Sequence, residues 1–132
     1  MIPKYRVWVE AEETMHPVIG LDWSGVGDDL TAFVPMGKTS LRAVSIDSAV
    51  LMQSTGKMDS TGKVEVFVGD ILYYPDQDED NYGIIKFDED LLAFVLDNGY
   101  EKFIYGDYGM DKVVGNIYQN KDLADYILGD RK

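Results

Sequence analysis

The chain has 132 residues, with 24 Asp and Glu against 12 Lys and Arg, so its formal net charge is −12. Its length suits one domain with a buried core, and a hydrophobic content of 45% excludes wholesale disorder. The absence of cysteine excludes disulfides and thiolate metal sites, and the single histidine, His16, excludes a histidine-rich metal centre.

The acidic charge is concentrated in the C-terminal half. Residues 64–132 contain 16 acidic and 6 basic side chains, a net charge of −10. Such a surface repels phosphate, so we expect no nucleic-acid binding. No apolar run approaches the roughly 18 residues of a membrane span, and the N-terminus lacks the pattern of a secretory signal. We therefore expect a cytoplasmic protein with no membrane association.

The N-terminal half shows the alternation of apolar and polar residues that is typical of β-strands. In Lys4–Val9 this alternation places Tyr5, Val7 and Val9 on one face of a strand. Further strands are predicted at Met15–Leu21, Leu30–Val34 and Val44–Gln53, and turns at Trp23–Asp29, Pro35–Lys38 and Ser54–Lys63.

The C-terminal half consists of short β-rich runs separated by tight turns. Strands are predicted at Asp70–Tyr74, Gly83–Asp88, Leu91–Asp97, Lys102–Tyr105 and Lys112–Tyr118, with a longer loop at Pro75–Asn81. Asn98-Gly99 is typical of a hairpin turn because both residues tolerate a positive φ. This pattern predicts an all-β fold in which short antiparallel strands form a small barrel or sandwich.

The last element has a helical period. Asn120 is predicted to cap one short C-terminal helix over Asn120–Leu128, with Leu123, Tyr126 and Ile127 on one face. We expect residues 1–132 to form a single compact unit. The one seam that the sequence suggests lies near 57–69, between an N-terminal β part (1–66) and a C-terminal barrel-like part (67–132).

Three segments resemble the signatures of a known family, in the same order and at matching spacing. The opening strand, Lys4–Trp8, matches the family pattern K-F-R-A/V-W-D. The central motif, Leu51–Gly56 with Asp59, Gly62-Lys63 and Gly69–Ile71, matches LMQYTG…D…GK…GDI. The closing motif, Val113–Asn120 with Leu123, matches VIGNIYENPEL. On these residues the chain resembles the YopX family of phage and prophage proteins.

The resemblance implies a phage-encoded, β-rich, self-associating protein with no established biochemical activity. The chain departs from the family at Val9, where Asp is usual, along 10–43, and at Val64–Val68. We interpret eight matching positions as structural: Trp8, Met52, Gln53, Gly56, Gly69, Asp70, Gly115 and Asn116. For Gly69, before Asp70, we predict a backbone conformation that a Cβ would forbid.

A nucleotide-binding pattern is present but lacks its physical context. Ala32–Thr39 satisfies [A/G]-x4-G-K-[S/T]. Phosphate binding by such a loop needs inward-pointing backbone N–H groups ahead of a helix. Pro35 has no N–H and holds Val34 extended, and no βαβ unit is predicted. We therefore expect no nucleotide or other cofactor.

Clustered carboxylates are weak evidence for chemistry here. Asp76–Asn81 begins like a calcium loop, but Phe87 stands where the bidentate Glu belongs and no helices flank the loop. Asp88–Asp90, and Asp107 with Asp111, lie in predicted turns rather than in a recognisable cleft. We expect no catalytic residue and no metal ligand, and we leave open a weak surface calcium site at 76–81.

The aromatic residues suggest two different roles, in the core and in a protein interface. Seven lie in the predicted strands, and most of these seven are expected in the core: Tyr73, Tyr74, Phe87, Phe94, Phe103, Tyr105 and Tyr118. Tyr100, Tyr105 and Tyr108 lie in or near loops and form a candidate protein interface, because tyrosine is enriched in interfaces.

The leading functional hypothesis is a phage or prophage accessory protein, not an enzyme, that acts through protein–protein contacts as a homo-oligomer. The alternative is an acidic decoy that occupies the DNA site of a basic host protein, which would then be its partner. A carboxylate-based metal enzyme is the third hypothesis.

Overall fold

Strands make up most of the regular structure, as the alternating sequence predicts. The computed structural model describes residues 4–23, 30–76, 79–106 and 110–129. The backbone divides into two compact units, Met1–Gln53 and Ser54–Lys132. This division lies a few residues before the 57–69 segment in which the sequence suggests a seam.

The first unit is built from short antiparallel strands. They are β1 (Tyr5–Val9), β2 (Thr14–Pro17), β3 (Gly20–Asp22), β4 (Thr31–Met36), β5 (Ser40–Ser45) and the first half of β6 (Ala49–Met58). Strand β1 lies between β2 and β6, and β4 lies between β3 and β5. The core of this unit consists of Val7, Val9, Val34 and Val44, which are the inward members of the alternating pattern.

Two predicted strands of this unit are interrupted. Met15–Leu21 divides at Val18 and Ile19, because the Val18 N–H donates to Tyr5 and the Ile19 N–H donates to Phe33, on the central strands of two different sheets. Val44–Gln53 is broken by a single 3-10 turn at Ile46–Ser48. There the Ser45 hydroxyl accepts a hydrogen bond from the Asp47 N–H, a local bond that competes with strand pairing.

The second unit contains a five-stranded antiparallel sheet and one helix. After the second half of β6 come β7 (Glu65–Phe67), β8 (Asp70–Asp76), β9 (Glu79–Asp88), β10 (Ala93–Asp97), β11 (Lys102–Ile104), β12 (Lys112–Asn116) and α1 (Lys121–Leu128). Strand β7 pairs with β6, and the five-stranded sheet has the order β11-β10-β9-β8-β12. The predicted all-β fold with one short C-terminal helix is confirmed.

Both faces of the five-stranded sheet carry a core, because its central strands bring adjacent apolar residues that point in opposite directions. One core consists of Val66, Leu72, Tyr74, Ile85, Leu96 and Tyr105. The other consists of Ile71 and Ile84 with Ala124 and Ile127 of α1. The sheet is therefore covered on one side by the helix and on the other by residues around β7.

Two predicted loops are shorter than expected. Strand β8 reaches Asp76 and β9 begins at Glu79, so most of the predicted Pro75–Asn81 loop is strand. Residues 77 and 78, and the side chains on which the calcium hypothesis depends, lie outside the described residues. Strand β6 continues to Met58, so Ser54–Lys63 is a turn only beyond that residue.

The aromatic residues are less buried than predicted. Tyr74 and Tyr105 are core residues, but Phe87 and Phe103 are exposed. Phe103 lies on β11, the edge strand, where no further strand of the sheet covers it. Phe87 is partly covered by Phe94, with ring centroids 5.5 Å apart in an edge-to-face arrangement.

The helix packs with most of the predicted face, since Ile127 is in the core and Leu123 packs against it, but Tyr126 is not part of that face. Ala124 and Ile127 are buried, whereas Tyr126 is exposed, because it lies about 100° around the helix from Ile127. The side chain of Asn120 does not cap the helix; its Oδ1 accepts a hydrogen bond from the Asn116 N–H instead. Within the described ranges, no helix is long and apolar enough to cross a membrane.

Candidate functional site

The central signature glycine and aspartate form the turn between β7 and β8. Gly69 has φ of +95°, the predicted conformation that disfavours any Cβ. Its N–H donates to Ile85 and its carbonyl accepts from Ile117, at 2.8 and 2.9 Å. Asp70 is buried, and its Oδ2 accepts from the Phe67 N–H at 2.8 Å. This turn therefore joins β9 to the segment that follows β12.

The closing signature is a second network of hydrogen bonds. Oδ1 of buried Asn116 accepts from the N–H groups of Tyr118 and Gln119, at 3.0 and 2.9 Å. A Cβ at Gly115 would lie 2.3 Å from Oδ1 of Asn120, the atom that accepts the Asn116 N–H. A larger residue at 115 would therefore disturb the connection into α1.

The remaining signature residues lie on or beside β1 and β6. Trp8 and Met52 are buried, and Gln53 is opposite Tyr5 in the β1–β6 ladder. Gly56 has φ of +80°, and its N–H donates to the Ser54 hydroxyl. All eight signature positions thus lie in strands or turns, and their structural role stays a prediction.

A polar cleft lies between the end of β6 and the approach to β12. It has a volume of about 440 Å³, and its lining includes Lys57, Met58, Asp59, Ser60, Gly62, Tyr105, Gly106 and Asp111. Three of these, Asp59, Tyr105 and Asp111, are buried side chains. Asp59 and Asp111 come from segments far apart in the sequence, so only the fold brings these two carboxylates to one cleft.

Asp59 holds the turn after β6 and the start of β12 together. Its Oδ1 accepts from the Thr61 N–H at 3.0 Å and from the Thr61 hydroxyl, and its Oδ2 accepts from the Val113 N–H at 3.2 Å. Burial by itself raises the pKa of this carboxyl. The hydrogen bonds from Thr61 and Val113 outweigh burial, and the pKa of Asp59 lies below its ordinary value.

Asp111 makes complementary contacts from the other wall. Its backbone carbonyl accepts from both the N–H and the hydroxyl of Ser60, at 2.9 and 2.5 Å. Its Oδ2 lies 3.4 Å from the Tyr105 hydroxyl, which donates to it. Tyr105 is therefore a buried residue with its polar end directed at a carboxylate, and its part in the predicted interface stays a prediction.

The chemistry of this cleft is that of a structural junction. A carboxylate with a lowered pKa is a weak base near neutral pH, and both oxygens of Asp59 already accept hydrogen bonds. In the part of the chain that the structure describes, no group of three His, Cys, Asp or Glu side chains could hold a metal ion. Sequence reasoning treated Asp111 as a turn residue and gave Asp59 no chemical role.

Two lowered carboxyl pKa values predict a loss of stability in acid. Asp97 resembles Asp59. Burial raises the pKa of Asp97, but hydrogen bonds from the Gly99 N–H and the Lys86 ammonium lower it by more, so this pKa lies below its ordinary value. The unfolded state then binds more protons than the folded state below about pH 5. We expect the free energy of unfolding to fall progressively as the pH drops through the ordinary carboxyl range toward the lowered folded pKa values. Urea unfolding between pH 3 and 7 measures this, and Asp59→Asn should show a shallower fall.

The turn between β9 and β10 exposes two adjacent leucines. We call residues Asp88–Leu92 the leucine turn. Oδ1 of Asp88 accepts from the N–H groups of Asp90 and Leu91, at 2.9 and 3.0 Å, which fixes the backbone. Leu91 is 57% exposed and Leu92 is 78% exposed, and Leu92 has φ of +52°. A bulky residue in that conformation is strained.

The predicted tyrosine interface is only partly accessible. Tyr100 is 74% exposed in the turn between β10 and β11. Tyr105 is buried, and Tyr108 lies outside the described residues. The exposed apolar surface of this unit also includes residues that were not predicted to be exposed, among them Leu91, Leu92, Ile104 and Met110. The feature of the sequence that could have indicated this exposed surface is the pair of consecutive leucines beside a predicted turn.

The other sequence candidates lie in turns and strands. Ala32–Thr39 spans β4 and the turn into β5, so a strand follows it where a phosphate loop needs a helix. His16 is in β2, and its Nε2 is 2.8 Å from the Thr14 hydroxyl. Asp88 serves the leucine turn, and Asp107 lies outside the described residues.

Comparisons with known proteins agree with this architecture. A family model described as YopX protein matches residues 4–125. The chain is similar to the crystal structure of protein EF1440 from Enterococcus faecalis, with 24% identity, a TM-score of 0.63, and coverage of 93% of this chain and 98% of that one. It is also similar to protein yopX from Bacillus subtilis, with 25% identity, a TM-score of 0.63, and coverage of 91% and 94%. No curated protein matches the chain.

Proposed function

The chain belongs to the YopX family, and from that premise we propose that it is a phage or prophage accessory protein that acts through protein–protein contacts as a homo-oligomer. The proposal includes no enzymatic activity, because the carboxylates of the polar cleft are engaged in holding strands together.

The leucine turn is the observation that carries this proposal. Leu92 adopts a positive φ that costs about 1–2 kcal/mol for a side chain of its kind. Its side chain gains little burial in return, since it is largely exposed. Backbone strain that is not offset by burial within one chain is typical of interaction sites, where a partner buries the side chain. Exposed Ile104, on the neighbouring edge strand, extends the apolar surface available to that partner.

The mass of the protein in solution tests the proposal. We expect sedimentation equilibrium to give a mass above 14.9 kDa that rises with concentration. Leu91→Lys should shift the equilibrium toward the single chain, because it places a charge in the proposed contact. The matched control is Val114→Lys on β12, the other edge of the same sheet, where the side chain is also exposed. A single-chain mass for the unmodified protein at every concentration would contradict the proposal.

Replacing Leu92 should separate stability from association. Asn tolerates a positive φ, so Leu92→Asn should raise the free energy of unfolding by about 0.5–1 kcal/mol, measured at a concentration at which the chain is monomeric. The same substitution should weaken self-association, because the exposed apolar side chain is lost.

Glu13→Asn is the matched control for that substitution. Glu13 has φ of +55° in the turn between β1 and β2 and is also exposed. It should give a similar gain in stability with no change in solution mass. Equal association of Leu92→Asn and the unmodified chain would show that the strain at Leu92 has no connection with self-association.

The acidic decoy is the alternative proposal, and it rests on the net charge of −10 over residues 64–132. It differs from the homo-oligomer proposal in the partner and in how the affinity depends on salt. A decoy should bind a basic DNA-binding host protein with an affinity that falls steeply as salt rises.

A further inference from the structure

The acidic residues of the leucine turn restrict what it can contact. Glu89 and Asp90 are exposed next to the two leucines, and Asp88 precedes them. If two copies met turn to turn, carboxylates would face carboxylates, which is unfavourable. The complementary surface must therefore be apolar, carry a positive charge and lack acidic residues.

The hairpin formed by β4 and β5 has such a surface. Ala32, Val34 and Val44 point into the core of the first unit, so the alternate residues point outward. Among these, Pro35 and Leu41 are opposite each other in the ladder, and both are exposed. We call Pro35, Leu41 and Ala43, together with Lys38 at the tip, the hairpin face.

The charges around the hairpin face match those of the leucine turn. Residues 30–46 contain no Asp or Glu, in a chain of net charge −12. Arg42 is opposite buried Val34, and its guanidinium binds Glu12, so Lys38 is the cation of the hairpin face. The other acid-free stretches of ten or more residues, 48–58 and 112–121, are poorer matches, since each has one exposed large hydrophobic residue, Met58 and Val114 respectively.

We propose that the hairpin face of one copy receives the leucine turn of a second copy. This inference rests on the proposed homo-oligomer and specifies its contact. Two copies can make this contact reciprocally about a two-fold axis, or successive copies can make it head to tail in a ring or a filament. Leu91 and Leu92 supply the apolar contact with Pro35 and Leu41, and Lys38 faces Glu89 and Asp90.

A charge exchange between two variants tests this arrangement. One variant is Lys38→Glu, and the other combines Glu89→Lys with Asp90→Lys; all three positions are exposed. Each variant alone places like charges together at the contact, so we expect its association to weaken by about tenfold or more. Mixed in equal amounts at low salt, the two variants make complementary contacts with each other, so sedimentation should show that association is restored. Far-UV circular dichroism verifies that each variant is folded.

The outcomes separate this contact from self-association in general. If the unmodified chain associates and both variants associate equally well alone, the contact between the hairpin face and the leucine turn is wrong while the homo-oligomer stands. If the variants are monomeric alone and the mixture stays monomeric, these residues do not face each other and the inference is likewise overturned. A monomeric unmodified chain overturns the homo-oligomer itself. Lys112→Glu, an exposed change outside both surfaces, should leave the mass unchanged.

Discussion

Gly99→Ala should lower the free energy of unfolding by about 3 kcal/mol or more, since it combines backbone strain with a clash against main-chain atoms. Gly99 has φ of +91° in the turn between β10 and β11. A Cβ at this position would lie 1.8 Å from the carbonyl oxygen of Ile127, near the end of α1. A backbone atom cannot rotate away as a side chain can, so either the turn or the helix has to move.

The turn around Gly99 is held too firmly to move without loss. The Gly99 N–H donates to Oδ1 of Asp97 at 2.9 Å, and Oδ2 of Asp97 binds the Lys86 ammonium at 2.9 Å. On the other side, Oδ1 of Asn98 accepts from the N–H groups of Tyr100 and Glu101. Displacing the helix instead would withdraw Ile127 from the core that it forms with Ile71 and Ile84.

Two other glycines provide matched controls. Gly62 has φ of +73° but open space around its missing Cβ, so Gly62→Ala should cost only the backbone strain, about 1 kcal/mol. Gly106 has neither a positive φ nor a close neighbour, and Gly106→Ala should be nearly neutral. Urea unfolding of the three variants measures the difference. Equal losses at 99 and 62 would show that α1 does not pack against the turn as described.

Asp59→Ala should lower the free energy of unfolding by about 2–4 kcal/mol, because it leaves buried hydrogen-bond donors without their charged acceptor. The carboxylate binds the N–H groups of Thr61, in the turn after β6, and of Val113, in the last strand of the five-stranded sheet. Water has limited access to this site, since Asp59 is only 5% exposed. Asp59→Asn should retain part of the stability, since one oxygen remains as an acceptor.

Asp88→Ala is the control for that loss. Asp88 also accepts from two backbone N–H groups, those of Asp90 and Leu91, but in a turn exposed to water. Water can satisfy those donors after the substitution, so we expect a loss of about 0.5–1 kcal/mol in urea unfolding at low protein concentration. Losses of the same size for Asp59→Ala and Asp88→Ala would contradict the junction role assigned to Asp59.

Features that depend on neighbouring residues were predictable from the sequence. Alternation predicted the antiparallel all-β class, and the change to a helical period predicted α1. The turn at Asn98-Gly99 and the positive φ of Gly69 followed from the residue types that tolerate such backbone conformations. The motifs at both ends and in the centre of the chain were sufficient to indicate the family, whose model matches residues 4–125.

Features that depend on position within a sheet or unit were not predictable in this way. Tyr105 is buried and Phe103 is exposed, although they are two residues apart in the same predicted strand. The difference arises because Phe103 is on the edge strand, whereas the Tyr105 hydroxyl reaches Asp111. Likewise, Leu91 and Leu92 were predicted at the start of a strand, but the hydrogen bonds accepted by Asp88 form a turn in which both leucines are exposed.

The sequence by itself determined the strand class, the special turn residues and the family, since each of these depends on local conformational preference or on identity at matching positions. Only the tertiary structure decided which carboxylates are buried and which apolar residues remain exposed. Asp59 meets Val113 at a separation of 54 positions in the sequence, and the hairpin face is a surface because its alternate residues are buried. Burial is set by contacts between distant segments, and a local pattern does not specify those contacts.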